Sequence, residues 1–259
     1  MDALHPTALV EALQAQSSML PTSYDVRLLD VADIEQLIQF RLHIVNTLSH
    51  PDHYRMAGEA PNFVRDHVTD KGVTIGVFRK DKLIAYGALG VPKEGDLNRG
   101  RDLSLPNVQW PLVVHMASAM VLPSERKIRL HHWLINARLH LARALGRRHV
   151  VSTVSPWNHV SWSNLASFGI YPRRLIDTGM GASACRFLLH GELNVVETLE
   201  HATAHLVPLQ DLQSAFEIFN AGRIIWARTN IGGDFYGISG HARRAGSGNL
   251  HRTISGFSA

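Results

Sequence analysis

Strand-like and helix-like spacings of hydrophobic residues alternate along the first part of the chain. Residues 24–29 alternate in polarity with a period of two, which predicts a strand. From Asp33, apolar residues recur three or four positions apart up to Val45, which predicts an amphipathic helix. Two strand-like runs then flank a short polar turn, at residues 72–79 and 83–91, and together they predict a β-hairpin.

A strand, a long helix and a second strand are expected after a polar loop at residues 92–111. Residues 112–122 form an apolar run that predicts a buried strand, ended by a proline. Between residues 127 and 145 the apolar side chains lie three or four positions apart, so we expect a long amphipathic helix that ends at Gly146. The remaining predicted elements of this part are a strand at 150–154, a short helix at 157–168 and a closing strand at 186–189.

The chain is predicted to consist of one main domain with extensions. Residues 1–23 hold one short helical pattern and are interpreted as an N-terminal extension, followed by the main domain at residues 24–192. Residues 193–236 carry apolar residues at helical spacing, so we expect a mostly helical C-terminal extension. Residues 237–259 are rich in Gly, Ser, Arg and His, which predicts a flexible basic tail.

Composition indicates a water-soluble globular protein. Apolar residues make up 45% of the 259 residues and charged residues 19%, as expected for a domain with a hydrophobic core. No apolar run reaches the roughly 18 residues that a membrane helix needs, and the first residues lack a secretory pattern. We therefore expect a cytoplasmic protein without a membrane partner.

Charge and cysteine content exclude several kinds of site without naming an activity. The chain has 26 basic and 22 acidic side chains, and the net charge of +4 is too small to favour nucleic acid over an anionic cofactor. The single cysteine, Cys185, excludes an internal disulfide and has no flanking pattern that would activate its thiol. The 16 histidines show no zinc-ligand spacing, so no metal site is predicted.

Three local motifs lie in a fixed order along residues 24–189. The first is the hairpin at residues 77–87. The second is Val-Leu-Pro-Ser-Glu-Arg at residues 121–126, where the apolar strand meets the long helix. The third is Asn-His-Val-Ser at residues 158–161, followed by Phe-Gly-Ile at residues 168–170. In this order and spacing the motifs resemble the GNAT acyltransferase superfamily.

The resemblance implies both a fold and a reaction. The fold is an α/β fold with a mixed, mostly antiparallel central sheet flanked by helices. The reaction is direct transfer of an acyl group from acetyl-CoA or another acyl-CoA to an amine of a small molecule or peptide. The CoA pyrophosphate would lie at the start of the long helix, where backbone N–H groups and a partial positive charge are available. The residues at donor-binding positions are Met120, Val121, Leu122, Arg126, Lys127, Ile128, Arg129, Leu130, His131, Asn158 and Ser161.

The expected pyrophosphate loop departs from the family pattern at two positions. The family loop is Arg/Gln-x-x-Gly-x-Gly/Ala, whereas here Arg129 and His131 occupy the two small positions. Glycine lets the backbone approach a phosphate closely, and a side chain takes that space. Two interpretations follow. Either Lys127, Arg129 and His131 bind phosphate through their side chains, or the site has degenerated and the domain is a binding or regulatory module.

Two residues are candidates for proton transfer. His115 lies where some GNAT members place a general base, and an imidazole pKa near 6.5 suits that role. The alternative is a core-facing histidine bonded to a backbone group. The tyrosine that many members use as general acid is replaced here by Leu165. Tyr171 is the nearest substitute, with an ordinary structural tyrosine as the alternative.

The donor and the acceptor both remain open at this point. A group of basic residues would also suit an acidic acyl carrier protein as the donor, namely Arg126, Lys127, Arg129, Arg138, Arg147 and Arg148. The acceptor would be framed by the loops at residues 49–62 and 92–111, whose sequences name no substrate. Nucleic acid is not expected as a partner, although the basic tail could form an interaction arm. The sequence does not define an oligomeric state.

Overall fold

A computed structural model describes residues 6–54, 62–178 and 185–244. The helices in these ranges are α1 (Pro6–Ser17), α2 (Ile34–Val45), α3 (Phe63–Val68), α4 (Leu130–Ala144), α5 (His159–Ala166) and α6 (Leu212–Asn220). The strands there are β1 (Asp25–Leu28), β2 (Gly72–Arg79), β3 (Lys82–Gly90), β4 (Val113–Val121), β5 (His149–Val154), β6 (Tyr171–Asp177), β7 (Cys185–Glu192), β8 (Glu197–Leu199), β9 (His205–Pro208), β10 (Ile224–Ile231), β11 (Asp234–Gly240) and β12 (Ala242–Arg244).

Within the described ranges, the central sheet has seven strands in the order β1-β2-β3-β4-β5-β7-β6. Neighbouring strands run antiparallel except β4 and β5, which run parallel and are connected through α4. The predicted mixed, mostly antiparallel sheet flanked by helices is therefore confirmed. The β2–β3 hairpin, β4, α4 and β5 lie within a few residues of their predicted positions.

Helices α2 and α4 cover opposite faces of this sheet. Tyr86 of β3 packs edge-on against Phe40 of α2, with 5.9 Å between the ring centroids. The next residue, Gly87, lies against α4, where an added Cβ would be 3.0 Å from Nε of Arg138. Consecutive side chains of a strand point to opposite faces, so the two helices lie on opposite sides of the sheet.

Helix α1, from the predicted N-terminal extension, packs against α4. Leu9 and Leu13 are buried in the main hydrophobic core. The end of α1 is held by two hydrogen bonds: Trp133 Nε1 donates to the carbonyl of Gln16 at 2.9 Å, and Asn136 Nδ2 donates to the Gln16 side chain at 2.7 Å. This extension is thus a packed layer behind α4.

The prediction of a mostly helical extension at residues 193–236 was wrong. Helix α6 is present, but strands β8 to β11 make up much of the rest, and β10, β11 and β9 form a three-stranded antiparallel sheet. The physical reason is a tight turn together with strand pairing on both sides of β11. Gly232 and Gly233 have φ of 63° and 99°, which suits a tight turn between two strands rich in β-branched and aromatic residues. The helical spacing of apolar residues applies to α6 alone.

The predicted flexible tail also requires correction at its start. Residues 237–240 complete β11, and residues 242–244 form β12, which pairs with β8. The ion pair between Arg244 and Glu192, at 2.7 Å, connects β12 to the end of β7. Residues 245–259, the remainder of the predicted tail, lie outside the described residues.

Candidate active site

Strands β4 and β5 separate after a short paired stretch. Their parallel ladder joins only residues 113–115 to residues 149–151. Beyond that point β4 continues alongside β3, and β5 alongside β7. The hydroxyl of Ser152 bridges the start of the gap by donating to the carbonyl of Met116. The sheet is therefore split toward the ends of these two strands.

A β-bulge in β4 lies beside the gap. Gly87 and Leu89 of β3 pair with Ala119 and Met116, so three steps along β4 oppose two along β3. The extra residue changes which face later side chains occupy. Ala119 shares the α4 face with Gly87, whereas His115, paired with Gly90, lies on the opposite face.

A cavity of about 490 Å³ passes through the sheet at the gap, a size in the range of small-molecule sites. Side chains from both faces line it. On the side of α4 and α5 these include His131, Arg138, Asn158, Ser161 and Leu165. On the other side they include His53, Tyr54, His67 and His115. Two reactants could thus meet at the gap from opposite faces of the sheet.

The loop before α4 keeps a glycine-like backbone despite its side chains. Arg129 has φ of 59° and Lys127 has φ of 73°, both in the left-handed region that normally favours glycine. The side chains at positions 126 to 129 are exposed and do not fill the cavity. Arg129, at the first small position of the family loop, therefore adopts a backbone conformation that glycine takes more readily.

His131, at the second small position of the family loop, is directed toward α5. Asn164 Nδ2 donates to its Nδ1 at 2.9 Å. Burial, together with the nearby charge of Arg138, lowers the pKa of His131 to about 3. This ring is therefore neutral at physiological pH and adds no positive charge for a phosphate.

Glu125 anchors the same loop to the β1–β2 edge of the sheet. Its buried carboxylate accepts a 2.5 Å ion-pair contact from Arg79 and a 3.2 Å hydrogen bond from the hydroxyl of Tyr24. A buried carboxylate is tolerated when it is paired and hydrogen-bonded in this way. The contacts hold the start of α4 in place.

The predicted donor-binding residues at the end of β4 lie beside the cavity rather than in its lining. Met120 and Leu122 are buried in the core, and the N–H of Leu122 donates to the carbonyl of Ile84 at 2.9 Å. Val121 accepts a long hydrogen bond from Arg126 Nε at its carbonyl. The β4 residues that do line the cavity are His115, Met116, Ala117 and Ala119.

Asn158 and Ser161 lie together at the start of α5 and both line the cavity. The side-chain oxygen of Asn158 accepts from the N–H of Ser161 at 3.1 Å, so Asn158 caps the helix. Its Nδ2 donates to the carbonyl of His53 at 3.3 Å. Asn158 therefore connects α5 to the loop on the other face of the sheet.

His115 lines the cavity, but its Nε2 accepts a 3.2 Å hydrogen bond from the backbone N–H of Arg99. Burial, with a smaller contribution from the charge of Arg99, lowers the pKa of His115 to about 4. The neutral ring then carries its proton on Nδ1. The one lone pair of this imidazole is thus already used.

Tyr171 begins β6, opposite His190 of β7, and is not among the described residues that line the cavity. Burial raises the pKa of its hydroxyl. A different tyrosine, Tyr54, does line the cavity and donates to Ser118 Oγ at 2.9 Å. Ser118 is in turn 2.6 Å from the hydroxyl of Tyr86, which completes a chain of three hydroxyl groups at the bulge.

His53 and Tyr54 line the cavity although no sequence pattern predicted them as site residues. They lie at the start of the polar loop predicted at residues 49–62, and no spacing relates them to the family motifs. Burial lowers the pKa of His53, and its ring bonds to the backbone of Trp157. An aromatic pair in an otherwise polar loop was the only sequence signal.

The six basic residues considered for an acyl carrier protein do not form one surface. Arg138 is buried, whereas Arg148 lies just beyond the far end of α4 and pairs with Glu192 at 2.5 Å. Arg147, also at that end, donates to the carbonyl of Pro111. Only the residues around 126–129 lie at the start of the helix.

Comparisons with known proteins agree with this geometry. No protein-family model matches the sequence, and no curated protein matches it. Among solved structures, NAA60 of Arabidopsis thaliana, determined with acetyl-CoA, superposes with a TM-score of 0.53 at 16% identity, covering 66% of this chain and 99% of that one. The chain has the GNAT fold. An acetyltransferase of the GNAT family from Streptococcus pneumoniae matches with a TM-score of 0.48 at 14% identity, covering 66% and 99% of the two chains.

The three-stranded sheet of β9, β10 and β11 packs beside α5. In that sheet, Phe235 stacks on His159 of α5 with 4.5 Å between ring centroids. Helix α6 contributes Phe219, which packs edge-on against Phe187 of β7. Across residues 6–54, 62–178 and 185–244, no helix has the length and apolar content to cross a membrane, and no group of three or more His, Cys, Asp or Glu could hold a metal ion.

Proposed function

We propose that this protein is an N-acyltransferase that transfers an acyl group from a CoA thioester directly to an amine. The observation that carries the proposal is the single cavity that crosses the GNAT sheet where β4 and β5 separate. A thioester entering beside α4 and an amine entering beside His53 and Tyr54 would meet at the β4 bulge. Holding two reactants in this way supplies much of the rate enhancement in direct transfer.

The start of α4 is the proposed site for the CoA pyrophosphate. No side chain caps this helix end, so its backbone N–H groups and partial positive charge are directed at the loop. The exposed side chains of Arg126, Lys127 and Arg129 add charge-assisted contacts. Since the left-handed turn is kept, these contacts supplement the backbone ones. This supports a working donor site over a degenerate one.

The pantetheine arm and the thioester are assigned to the gap between β4 and β5. Ala117 and Ala119 leave room there, and Asn158 and Ser161 border it from α5. A bulge leaves a backbone group outside the ladder, and an N–H in that position can polarise a thioester carbonyl. The small side chains of β4 allow the donor to approach the backbone at this point.

The reaction conserves its protons and electrons without a further reactant. The amine nitrogen attacks the thioester carbon, a C–N bond forms, and the C–S bond breaks with its electron pair remaining on sulfur. The amine loses one proton, and the thiolate takes up one proton to become free CoA. Cys185 forms no covalent intermediate in this scheme.

His53 is the proposed acceptor of the amine proton. The sequence-based candidate, His115, has its Nε2 lone pair occupied by the N–H of Arg99, so we assign it the positioning of that loop. His53 lines the cavity, and its lowered pKa keeps the imidazole neutral at physiological pH. A neutral imidazole at a cavity wall suits general-base catalysis.

Tyr54 is the proposed proton donor to the thiolate, in place of Tyr171. Its hydroxyl lines the cavity and is hydrogen-bonded to Ser118 at the bulge, where the thioester is assigned. To protonate the thiolate, the Tyr54 O–H must rotate away from Ser118, and the Ser118 hydroxyl can then donate to the tyrosine oxygen in return. The assignment accounts for the leucine at the family's usual tyrosine position.

Release of free CoA in the presence of an amine tests the proposal. The full chain is incubated with acetyl-CoA and a panel of amines, including peptides with free N-termini, and new thiol groups are titrated. We expect amine-dependent release, and the Cys185→Ser variant should retain it because transfer is direct. The acylated amine, identified by mass spectrometry, completes the assignment. Thiol release that never exceeds hydrolysis with any amine would contradict the proposal.

A further inference from the structure

Arg138 places a buried positive charge against the cavity. The residue lies on the face of α4 that packs against β3, and its side chain is 2% exposed. Eight residues separate it from the start of the helix, which corresponds to about 12 Å along the axis. Arg138 is therefore a cation of the cavity wall, two turns along α4 from the proposed pyrophosphate site.

The protein's own groups satisfy only part of this guanidinium. Nε donates to the carbonyl of Leu134 and Nη1 donates to the carbonyl of Ala88, each at 3.1 Å. Both acceptors are neutral. No carboxylate in the described ranges lies within ion-pair distance of Arg138, and Nη2 has no acceptor there. The side chain lines the cavity with this unused donor capacity.

Three other cations line the cavity, Lys71, Arg99 and Arg186, and the first two are compensated by acidic side chains. Lys71 lies 3.2 Å from Asp66 and 3.5 Å from Asp96. Arg99 pairs with Asp102 at 2.9 Å. These three ion pairs lie on the side of the sheet away from α4. Arg138, on the α4 side, thus has no carboxylate partner in the described residues, whereas Lys71 and Arg99 on the amine side do.

A buried charge without a counter-ion is costly, because burial removes it from water. Burial lowers the pKa of Arg138 to about 10, which still leaves it protonated at neutral pH. An anion that enters the cavity would offset this cost and form charge-assisted, two-pronged hydrogen bonds with the guanidinium. The cavity therefore favours a ligand that carries a carboxylate on the α4 side.

We infer that Arg138 makes this protein selective for acyl donors whose acyl chain ends in a carboxylate, the CoA thioesters of dicarboxylic acids. The inference rests on the proposed acyl transfer and names its donor class. Ala119, at the bulge where the thioester is assigned, pairs with Gly87 and so lies on the same face as Arg138. The carboxylate belongs to the donor because the amine enters from the opposite face.

The acyl transfer itself is unchanged by this selectivity. The amine still attacks the thioester carbon, the C–N bond forms as the C–S bond breaks, and the distal carboxylate keeps its charge throughout. The product is an amide that carries a free carboxylate. Acylation would therefore replace a positive charge on the acceptor with a negative one.

Calorimetric titration of the full chain with CoA, acetyl-CoA and succinyl-CoA tests the inference. We expect the wild type to bind succinyl-CoA about ten to one hundred times more tightly than acetyl-CoA, the range for a charge-assisted contact. Arg138→Met should remove this preference and leave the affinity for CoA unchanged. Arg138→Lys, which keeps the charge but loses the planar fork, should retain part of it. Arg143→Met, at an exposed position of the same helix, should keep the full preference.

The outcomes separate this inference from the proposed function. Equal wild-type affinities for acetyl-CoA and succinyl-CoA would overturn the selectivity while leaving acyl transfer intact. A similar loss for both donors in Arg138→Met, with CoA binding preserved, would also overturn it, because Arg138 would then act on the thioester. If CoA itself does not bind, the proposed function fails together with the inference. The wild-type comparison needs no variant, so a poorly folded Arg138→Met cannot hide the result.

Discussion

The hydroxyl of Ser152 on β5 donates a hydrogen bond to the carbonyl oxygen of Met116 on β4, with 2.9 Å between the two oxygens. The contact lies directly after the last paired residues of the β4–β5 ladder. Because the two strands separate here, no backbone N–H of β5 pairs with this carbonyl, and the Ser152 side chain donates to it instead. The hydrogen bond therefore defines where the sheet stops being continuous and the cavity begins.

Ser152→Ala removes that hydrogen bond and is expected to lower the free energy of unfolding by about 1 kcal/mol. The loss is measured by urea denaturation. Ser167→Ala is the matched control, because Ser167 is exposed and its hydroxyl bonds within its own helix end. If the two variants are equally stable, the bridge has no part in holding the strands.

Arg129→Gly is expected to raise the free energy of unfolding by about 1 kcal/mol, since glycine adopts the left-handed backbone without strain. Arg129→Ala removes the same charge but keeps a β-carbon, so it should not be stabilised. Both variants are expected to bind CoA several-fold more weakly in calorimetric titration, and the difference should shrink at high salt. Unchanged CoA affinity in both would exclude Arg129 from the pyrophosphate site.

Acidification is expected to destabilise the protein through its buried histidines. His115 and His131 have folded-state pKa values of about 4 and about 3, against about 6.5 in an unfolded chain. Between pH 6.5 and these folded values only the unfolded chain takes up their protons. The stability they contribute is therefore complete above pH 6.5 and is lost as the pH falls, by up to about 1.4 kcal/mol per unit for each histidine.

Urea midpoints between pH 7.5 and pH 4.5 measure this dependence on pH. His115→Gln should flatten the dependence, because glutamine can accept the hydrogen bond from Arg99 and does not titrate. A wild-type midpoint that stays constant down to pH 5 would contradict the burial of neutral imidazoles in this cavity.

Tyr54→Phe is expected to lower kcat by about ten- to a hundredfold, with a smaller change in KM, because it removes the proposed proton donor to the thiolate. The effect is modest because a CoA thiolate is a tolerable leaving group. Tyr171→Phe provides the comparison and should retain wild-type kcat. If Tyr171→Phe lowers kcat and Tyr54→Phe does not, the general acid is Tyr171.

His53→Gln is expected to lower kcat/KM and to remove the acidic limb from its pH profile. In the wild type that limb should lie below pH 6.5, because burial lowers the pKa of His53 and the ring must be neutral to accept a proton. His115→Gln should keep the limb. A limb that disappears with His115 and persists without His53 would restore the sequence-based assignment of the base.

The centre of the fold could be predicted because its signals are long and local. The apolar run before Pro123 and the periodic helix that ends near Gly146 left little choice for β4 and α4. Strand β6 was missed because Pro172, Arg173 and Arg174 weaken its pattern, and pairing with β7 supplies its stability. Pairing likewise overrides helical spacing in the C-terminal sheet. Such long-range pairing cannot be seen in a local window.

Cavity residues that belong to the three sequence motifs could be predicted. Cavity residues that come from loops outside those motifs could not. Asn158, Ser161 and His131 do line the cavity, whereas Tyr54 reaches it from a loop whose course depends on the packed sheet. From the sequence, Arg138 was expected to be one of six basic residues that could bind an acidic acyl carrier protein. Its place between Leu134 and Leu141, on the apolar stripe of the helix, was the signal that it would be buried.

Calorimetric titration of the full chain with CoA tests most directly whether this protein binds an acyl-CoA donor. We predict that one CoA binds per chain, with an affinity that weakens as the salt concentration rises. The melting temperature should increase with CoA concentration by mass action. Substituting Lys127 with Ala should weaken binding, whereas Lys82→Ala, in the β2–β3 turn region, should leave it unchanged. Absence of both binding heat and thermal stabilisation at millimolar CoA would contradict the account.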